Sequence, residues 1–373
     1  PHWANSLERM RAHKVVLNIQ DTTELDFNAR QTAGLGPLSY EAQRGMYLHP
    51  TYIVSPEREP LGVLDAWMWA REPKDGHGHR PGMKESLRWI EGYERVAERA
   101  KALPEVRQVY VADREADILA LLVKARDLNH AADYLIRCQH NRALPQGDKL
   151  WARLAQAPVM GSVRFEMPAG RGRKARSVRQ HIRVEQVQIS DGAGGQLSVT
   201  CLLAEEVNAP QGTKPVVWRL LSNRAVHTLE EAVELIDWYR ARWEIEMFFL
   251  ILKEGCRIEA LQLGHIERIE TALALYLVVA WRINRLMRLG RNLPELPADL
   301  LFETDEWQAA YILNKKPVPK TVPQLNAVVR LIARLGGFLC RKGDGEPGAK
   351  TLWLGLRDIA VFVEGARFAR RQL

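Results

Sequence analysis

Only four cysteines occur in 373 residues (Cys138, Cys201, Cys256 and Cys340), far apart and with no Cys-x-x-Cys pair. Such spacing offers neither a zinc site nor a disulfide framework, and it fits a reducing cytosol. Long apolar runs are also missing. The longest, residues 272–281, is too short to span a bilayer and reads as a buried helix, so no membrane partner is expected. No secretory signal opens the chain, which starts Pro-His-Trp rather than Met. Internal repeats and low-complexity tracts are absent too. A chain that is 46% hydrophobic and 26% charged is neither disordered nor fibrous, and it is long enough for two or three domains.

What is present is an uneven positive charge. The net formal charge is +8, with a pI near 9.4. Residues 141–190 hold ten Lys/Arg (Arg142, Lys149, Arg153, Arg164, Arg171, Arg173, Lys174, Arg176, Arg179, Arg183) against Asp148, Glu166 and Glu185, a net +7. Concentrating the excess in one segment is how a footprint for nucleic acid is built, although a solvated basic loop has the same composition.

The hydrophobic pattern divides the chain into elements. Residues 14–20 (KVVLNIQ) predict a buried strand ending at Asp21. Strands follow over 46–54 and 61–69, then a helix over 85–103 that stops at Pro104. A strand over 106–112 ends at Asp113, a helix is expected over 113–126, and a strand over 134–138. Three strands, helix, strand, helix, strand is the order of an RNase H-like α/β core, though several α/β folds share it. Residues 146–225 are punctuated by Gly and Pro, with strands over 163–167, 177–189, 196–204 and 216–221 and turns at 170–172 and 191–195. They read as an antiparallel β insertion. Thr228 and Glu231 form a capping box for a helix running to about residue 254, closed by Gly255. An apolar helix over 266–289 carries Arg282, Arg285 and Arg288, with Arg291 just beyond. Residues 292–324 are Pro-rich and irregular, and helices over 322–335 and 352–366 close the chain.

The expected fold class is α/β, and among the α/β folds that share this order the RNase H-like core (a mixed sheet with flanking helices), with an antiparallel β insertion and a C-terminal helical domain, is the one that the family resemblance given below implies. Its parts are residues 1–145 and 226–291 for the core, 146–225 for the insertion and 292–373 for the helical domain.

Three features converge on one chemistry. Two predicted strands each end in an aspartate, Asp21 and Asp113, where an α/β core brings distant carboxylates together. On the long helix, Tyr239, Arg242, Glu246 and Lys253 fall within an arc of roughly 60° at about 100° per residue, while Ile245, Phe248 and Leu252 lie on another side. Glu246 would complete a triad of carboxylates, and Tyr, Arg and Lys would hold phosphate oxygens around it. Such a triad holds two Mg²⁺ or Mn²⁺ ions about 3.5–4 Å apart, which activate the attacking oxygen and stabilise the leaving one. Each residue has a plainer reading. Asp21 could be a turn aspartate, Asp113 a helix cap, and Glu246 half of a salt bridge with Arg242.

Asp21 in IQDTT, Asp113 in ADREADI and YRARWEIEMFFLILK at 239–253 resemble the DDE and YREK signatures of the IS-four family of bacterial transposases. The spacing Tyr-(2)-Arg-(3)-Glu-(6)-Lys is kept. The similarity continues through YLIRCQH, CLLAEEVN, VVWRLL and ARLGGF. The resemblance implies cut-and-paste transposition, in which a transposon end is nicked, closed into a hairpin, reopened and joined to target DNA. Its partners would be double-stranded DNA, both transposon ends and target, and a second copy of the chain in a synaptic complex. It further implies that Trp218, otherwise readable as a core tryptophan, stacks on a flipped base. Arg242 and Tyr239 would grip adjacent phosphates, Lys253 would lie near the scissile phosphate, and Arg114 and Arg137 would contact phosphates. Residues 325–373 would dimerise, and the setting would be a bacterial cytoplasm, nucleoid-associated when bound to DNA.

The family places a helical end-recognising domain before its first aspartate. Twenty residues precede Asp21, so most of that DNA-binding domain is expected to be missing. Phe249 and Leu250 also stand where polar and basic residues are expected. A non-catalytic inhibitor acting through mixed dimers is the alternative function.

Overall fold

The structure is a computed structural model that describes residues 1–28, 32–167 and 174–372. The turn expected at Gly170-Arg171-Gly172, and Arg171 and Arg173 of the basic segment, lie outside the described residues. The chain opens with α1 (His2–Arg11), β1 (Val15–Gln20), β2 (Thr23–Asp26), β3 (Gly36–Pro37), β4 (Arg44–Val54) and β5 (Pro60–Trp69). There follow α2 (Leu87–Ala102), β6 (Arg107–Ala112), α3 (Leu119–Asp127), β7 (Asp133–Arg137) and α4 (Leu150–Gln156). Four strands come next, β8 (Gly161–Met167), β9 (Arg176–Ser190), β10 (Gln196–Glu206) and β11 (Val217–Ser222). The remainder is helical: α5 (Leu229–Ala241), α6 (Glu244–Leu250), α7 (Ile266–Asn292), α8 (Thr304–Leu313), α9 (Leu325–Leu335) and α10 (Ala349–Gln372).

All eleven strands belong to one mixed sheet in the order β2-β4-β1-β6-β7-β11-β10-β9-β8, with β3 and β5 also paired to β4. Within it, β5-β4-β1-β6-β7 is the RNase H-like arrangement. β4 runs antiparallel to both β5 and β1, and β1, β6 and β7 are parallel. The insertion strands extend the same sheet, because β11 pairs antiparallel with β7 and hands on to β10, β9 and β8.

Side chains alternate across the central strands, as a pleated strand requires. Leu17, Ile19, Val109, Val111 and Leu135 face a core completed by Leu235, Ile236, Ile245 and Phe248 of α5 and α6. Tyr110, Ala112, Tyr134 and Ile136 face the opposite core, with Tyr93 and Val96 of α2 and Leu121 of α3. Burial on both faces accounts for the near-continuous apolar run of β1. Gly92 of α2 packs on the Gln20 side chain at the end of β1, where an added Cβ would stand 2.1 Å from Gln20 Oε1 and displace its amide.

Some expectations need correction. The helix expected over 113–126 begins as a 3-10 turn, Arg114–Ala116, and becomes α-helical only at Leu119. Between them the buried Asp117 accepts the N–H groups of Gln139 and His140 and pairs with Arg142, which holds the chain out of helical register. The long helix over 228–254 is likewise not continuous. It comprises α5, a tight turn at Arg242 and Trp243, α6, and a π-helical turn Ile251–Gly255. The irregular segment contains α8, capped reciprocally by Glu303 and Glu306. The apolar run over 272–281 is buried on one face only: Leu273, Leu277, Ala280 and Trp281 are inside, but Leu275 is 68% exposed. Among the described residues no helix is long and apolar enough to cross a membrane, and all four cysteines are free.

Candidate active site

Register alone places the two aspartates side by side. Parallel β1 and β6 pair Gln20 with Ala112, so Asp21 and Asp113 are the next residues at the same end of adjacent strands. β7 continues the row, pairing Ile136 with Ala112, which sets Arg137 beside Asp113 with its Nη1 3.6 Å from Oδ1. Both carboxylates are anchored locally. Asp21 Oδ1 accepts the N–H of Thr22 at 2.8 Å, and Asp113 Oδ1 accepts that of Arg114 at 2.8 Å.

The α5–α6 segment supplies the rest. Arg242 is 5% exposed, and its guanidinium is surrounded by all three expected carboxylates. Nη1 lies 2.6 Å from Asp21 Oδ2 and 3.5 Å from Glu246 Oε1, and Nη2 lies 4.0 Å from Asp113 Oδ2. Tyr239 donates its hydroxyl to Asp113 Oδ1 at 3.2 Å. The plainer readings are thus realised together with the site: Asp113 caps a turn, Glu246 pairs with Arg242, and Asp21 holds a turn N–H. Lys253, on the π-helical turn, has no ion pair with these carboxylates among the described residues. Arg114 meets Asp113 through its backbone, and its side chain is exposed.

Electrostatics follow from this crowding. Burial pushes the Asp21 carboxyl up to about 6, against the pull of Arg242 and the Thr22 N–H, and Glu246 and Asp113 push it further. Burial works against the charge of Arg242, but Asp21, Tyr239, Asp113 and Glu246 outweigh it and hold the guanidinium above its usual value. Burial, with Asp113 close by, raises the Tyr239 hydroxyl to about 12. The donor set is carboxylate oxygen alone, which suits a hard divalent cation. As the side chains stand, no three acidic, His or Cys groups among the described residues are close enough to share an ion. Arg242 sits between them as the neutralising cation.

Residues 80–282 match the family model described as Transposase DDE domain, a stretch that includes Asp113 and Glu246 and covers more than half of the chain. The chain belongs to the DDE transposase family. Residues 278–372 match a second model, the Transposase Tn5 dimerisation domain. Among solved structures the chain is similar to a piggyBac transposase synaptic complex with hairpin DNA, seen by cryo-EM. That likeness has 10% identity and a TM-score of 0.38, and it covers 94% of this chain and 57% of that one. The chain therefore spans little more than half the length of that relative.

DDE transposase domains generally use divalent metal ions, and the three carboxylates around Arg242 are the candidate ligands in this chain. Trp218 is half-buried on β11. Phe165 stacks on one side of its ring at 5.3 Å, and Tyr239 approaches edge-on at 6.0 Å. With Arg240, Trp243 and Arg288 it lines a cavity of about 390 Å³. Trp243, 59% exposed beside Arg242, is a further residue of the site, and its place inside the Tyr-Arg-Glu motif is the only sequence signal for it. Also unforeseen is a buried polar chain behind Asp21. Thr22 Oγ1 meets His49 Nδ1 at 2.8 Å, His49 Nε2 meets Gln20 Oε1 at 3.2 Å, and Gln20 Nε2 donates to Thr51 at 2.7 Å.

Proposed function

We propose that this chain is an IS-four-type transposase with a YREK signature, which cuts transposon ends and joins them to target DNA. The observation that carries the reading is the convergence of Asp21, Asp113 and Glu246, from three distant sequence positions, on the buried guanidinium of Arg242. Two Mg²⁺ or Mn²⁺ ions held by these carboxylates would activate the attacking oxygen and stabilise the leaving one. When that charge is neutralised from within the site, Arg242 is freed to bind phosphate oxygens, and the Tyr239 hydroxyl orients Asp113. Lys253, Arg137 and Arg114 would contact the DNA backbone, and Trp218, beside its cavity, would stack on a flipped base.

The active assembly is proposed as a homodimer in a synaptic complex with transposon ends, working in a bacterial cytoplasm on the nucleoid. The match of residues 278–372 to a dimerisation domain supports the homodimer. So does α10, which leaves Val361 and Phe368 exposed at 69% and 66% seven residues apart, two turns along one side. No observation favours the inhibitor.

The reading is tested by incubating the purified protein with duplexes carrying the element's own terminal repeats in Mg²⁺, Mn²⁺ or EDTA. Nicked, hairpin and joined products are expected with either metal and absent with EDTA. Equal product formation in EDTA would remove the metal from the account.

A further inference from the structure

A cavity of about 410 Å³ opens between Thr22 and Arg114, the chain neighbours of Asp21 and Asp113. A second, of about 610 Å³, is lined by the segment from Ala70 to Lys84. Ser39, Trp69, Arg71, Glu85 and Arg88 line both, so the two form one groove leading away from the carboxylates.

The charge within it is sorted. Glu85 is taken by Arg71, Glu41 by Lys74 and Arg80, and Asp117 by Arg142. Arg88, Arg114 and Lys84 have no ion pair among the described residues. Of the acids left over, Glu72 and Glu115 are exposed, and the half-buried Glu24 accepts the Tyr47 hydroxyl and the Ser39 N–H. The outer cavity is the basic end of the groove, lined by Arg71, Lys74, Arg80, Lys84 and Arg88 against Glu41, Glu72 and Glu85, whereas the acids of the cavity beside Thr22 offset its three arginines. Arg88 is the sharpest signal. Its Nη1 is buried without an acceptor, and a buried N–H left unpaired is costly. A phosphate oxygen entering the groove supplies the missing acceptor.

The aromatic rings here are closed to bases. Arg88 covers Trp69 at 3.7 Å, Tyr47 stacks against Trp69 at 5.2 Å, and Trp89 is met edge-on by His49 at 4.5 Å. The Trp218 cavity, by contrast, is lined by rings and has a half-buried Trp at its wall. A groove offering guanidinium and ammonium groups but no free stacking face reads backbone and not sequence.

We propose that this groove receives the target duplex, the DNA to which the cut end is joined, with Arg88 and Arg114 on phosphates beside the carboxylates and Lys84 further out. The proposal rests on the transposase reading above and adds where the second DNA lies. Indifference to base identity is what a site for arbitrary target DNA requires.

The test is the affinity of the full chain for a short labelled duplex of arbitrary sequence with no terminal repeat, measured across salt concentrations. Losing two phosphate contacts in Lys84→Gln/Arg88→Gln is expected to weaken binding about tenfold and to flatten the slope of log affinity against log salt by about two. Arg88→Lys, which keeps the charge, should lose less than Arg88→Gln. Because Arg88 also packs on Trp69, Lys84→Glu repeats the test from an exposed position. Unchanged affinity and slope overturn the proposal. So does a loss seen only with duplexes carrying a terminal repeat and its flank, which would assign the groove to donor DNA. Failure of the transposase reading is distinguishable, because it appears as absent Mg²⁺-dependent cleavage by the unaltered protein while duplex affinity is still measured.

Discussion

Replacing Asp21 with Asn should make the metal-free protein more stable and the enzyme inactive. The Asp21 side chain is 19% exposed, and burial lifts its carboxyl from 3.8 to about 6 although Arg242 is 2.6 Å away. A rise of about two units corresponds to about 3 kcal/mol as a ceiling, at about 1.36 kcal/mol per unit. The carboxyl is raised on folding, so its stabilising contribution is fully present below about pH 4 and is lost as the pH rises through about 6. At neutral pH the ionised group therefore costs stability.

Asp21→Asn keeps the shape, removes the ionisation, and leaves Arg242 with Glu246 at 3.5 Å and Asp113 at 4.0 Å. The variant should gain about 1–3 kcal/mol in EDTA at neutral pH, and the gain should vanish near pH 4. Chemical denaturation across that range reads it directly. Added Mg²⁺ should then work against that gain, stabilising the unaltered protein by about 2.7 kcal/mol at a hundredfold excess over its dissociation constant and Asp21→Asn by less. If Asp21→Asn is the less stable protein in EDTA at neutral pH, the ion pair with Arg242 outweighs burial and the reasoning is wrong.

Other consequences are as specific. Trp218→Ala should depress hairpin formation more than first-strand nicking, since the ring touches Tyr239 and lines a cavity that includes none of the three carboxylates; equal loss in both steps would remove the base-flipping role. Gln20 gives its amide N–H to Thr51, so its oxygen faces His49 Nε2–H, and His49 Nδ1 accepts from Thr22. Thr22→Val should therefore cost about 1–3 kcal/mol by stranding a buried acceptor, with Thr22→Ser recovering most of it in urea unfolding. Gly355→Ala, in a solvated helix, would stabilise by up to about 1 kcal/mol. Here the added Cβ would meet Ile332 O at 1.8 Å, so α10 is forced off α9 and faster proteolysis of the C-terminal helices is expected.

The sequence made much of the core and most of the site readable, for identifiable reasons. β1 and β6 are buried on both faces, so their apolar runs end sharply, and the residue after each end is a catalytic candidate. Nothing in those runs reveals that the two strands are neighbours; the parallel register does. Tyr239 and Arg242 reach the aspartates, and Glu246 joins them through Arg242. Lys253 does not, because the arc calculation assumed an unbroken α-helix. Four i→i−3 bonds, Arg242 to Tyr239, Trp243 to Arg240, Ile245 to Arg242 and Glu246 to Trp243, tighten the chain there, and the π-helical turn 251–255 shifts the phase again. With no Gly or Pro between Tyr239 and Lys253, the cause of these breaks is tertiary and left no local mark. α8 was hidden by the prolines around it, although none falls within 304–313 and its Glu303–Glu306 cap is a sequence feature. The groove at Arg88 joins β5, α2 and the turn after β6, and no single segment announces it.

The most direct test of the central claim is strand cleavage by Asp113→Ala and Glu246→Ala on a terminal-repeat duplex in Mg²⁺, with DNA binding measured on the same preparations. The account predicts that each loses at least about 10³-fold in cleavage rate, about 4 kcal/mol of barrier, while affinity for the duplex stays near that of the unaltered protein. Cleavage that survives in either variant would contradict it.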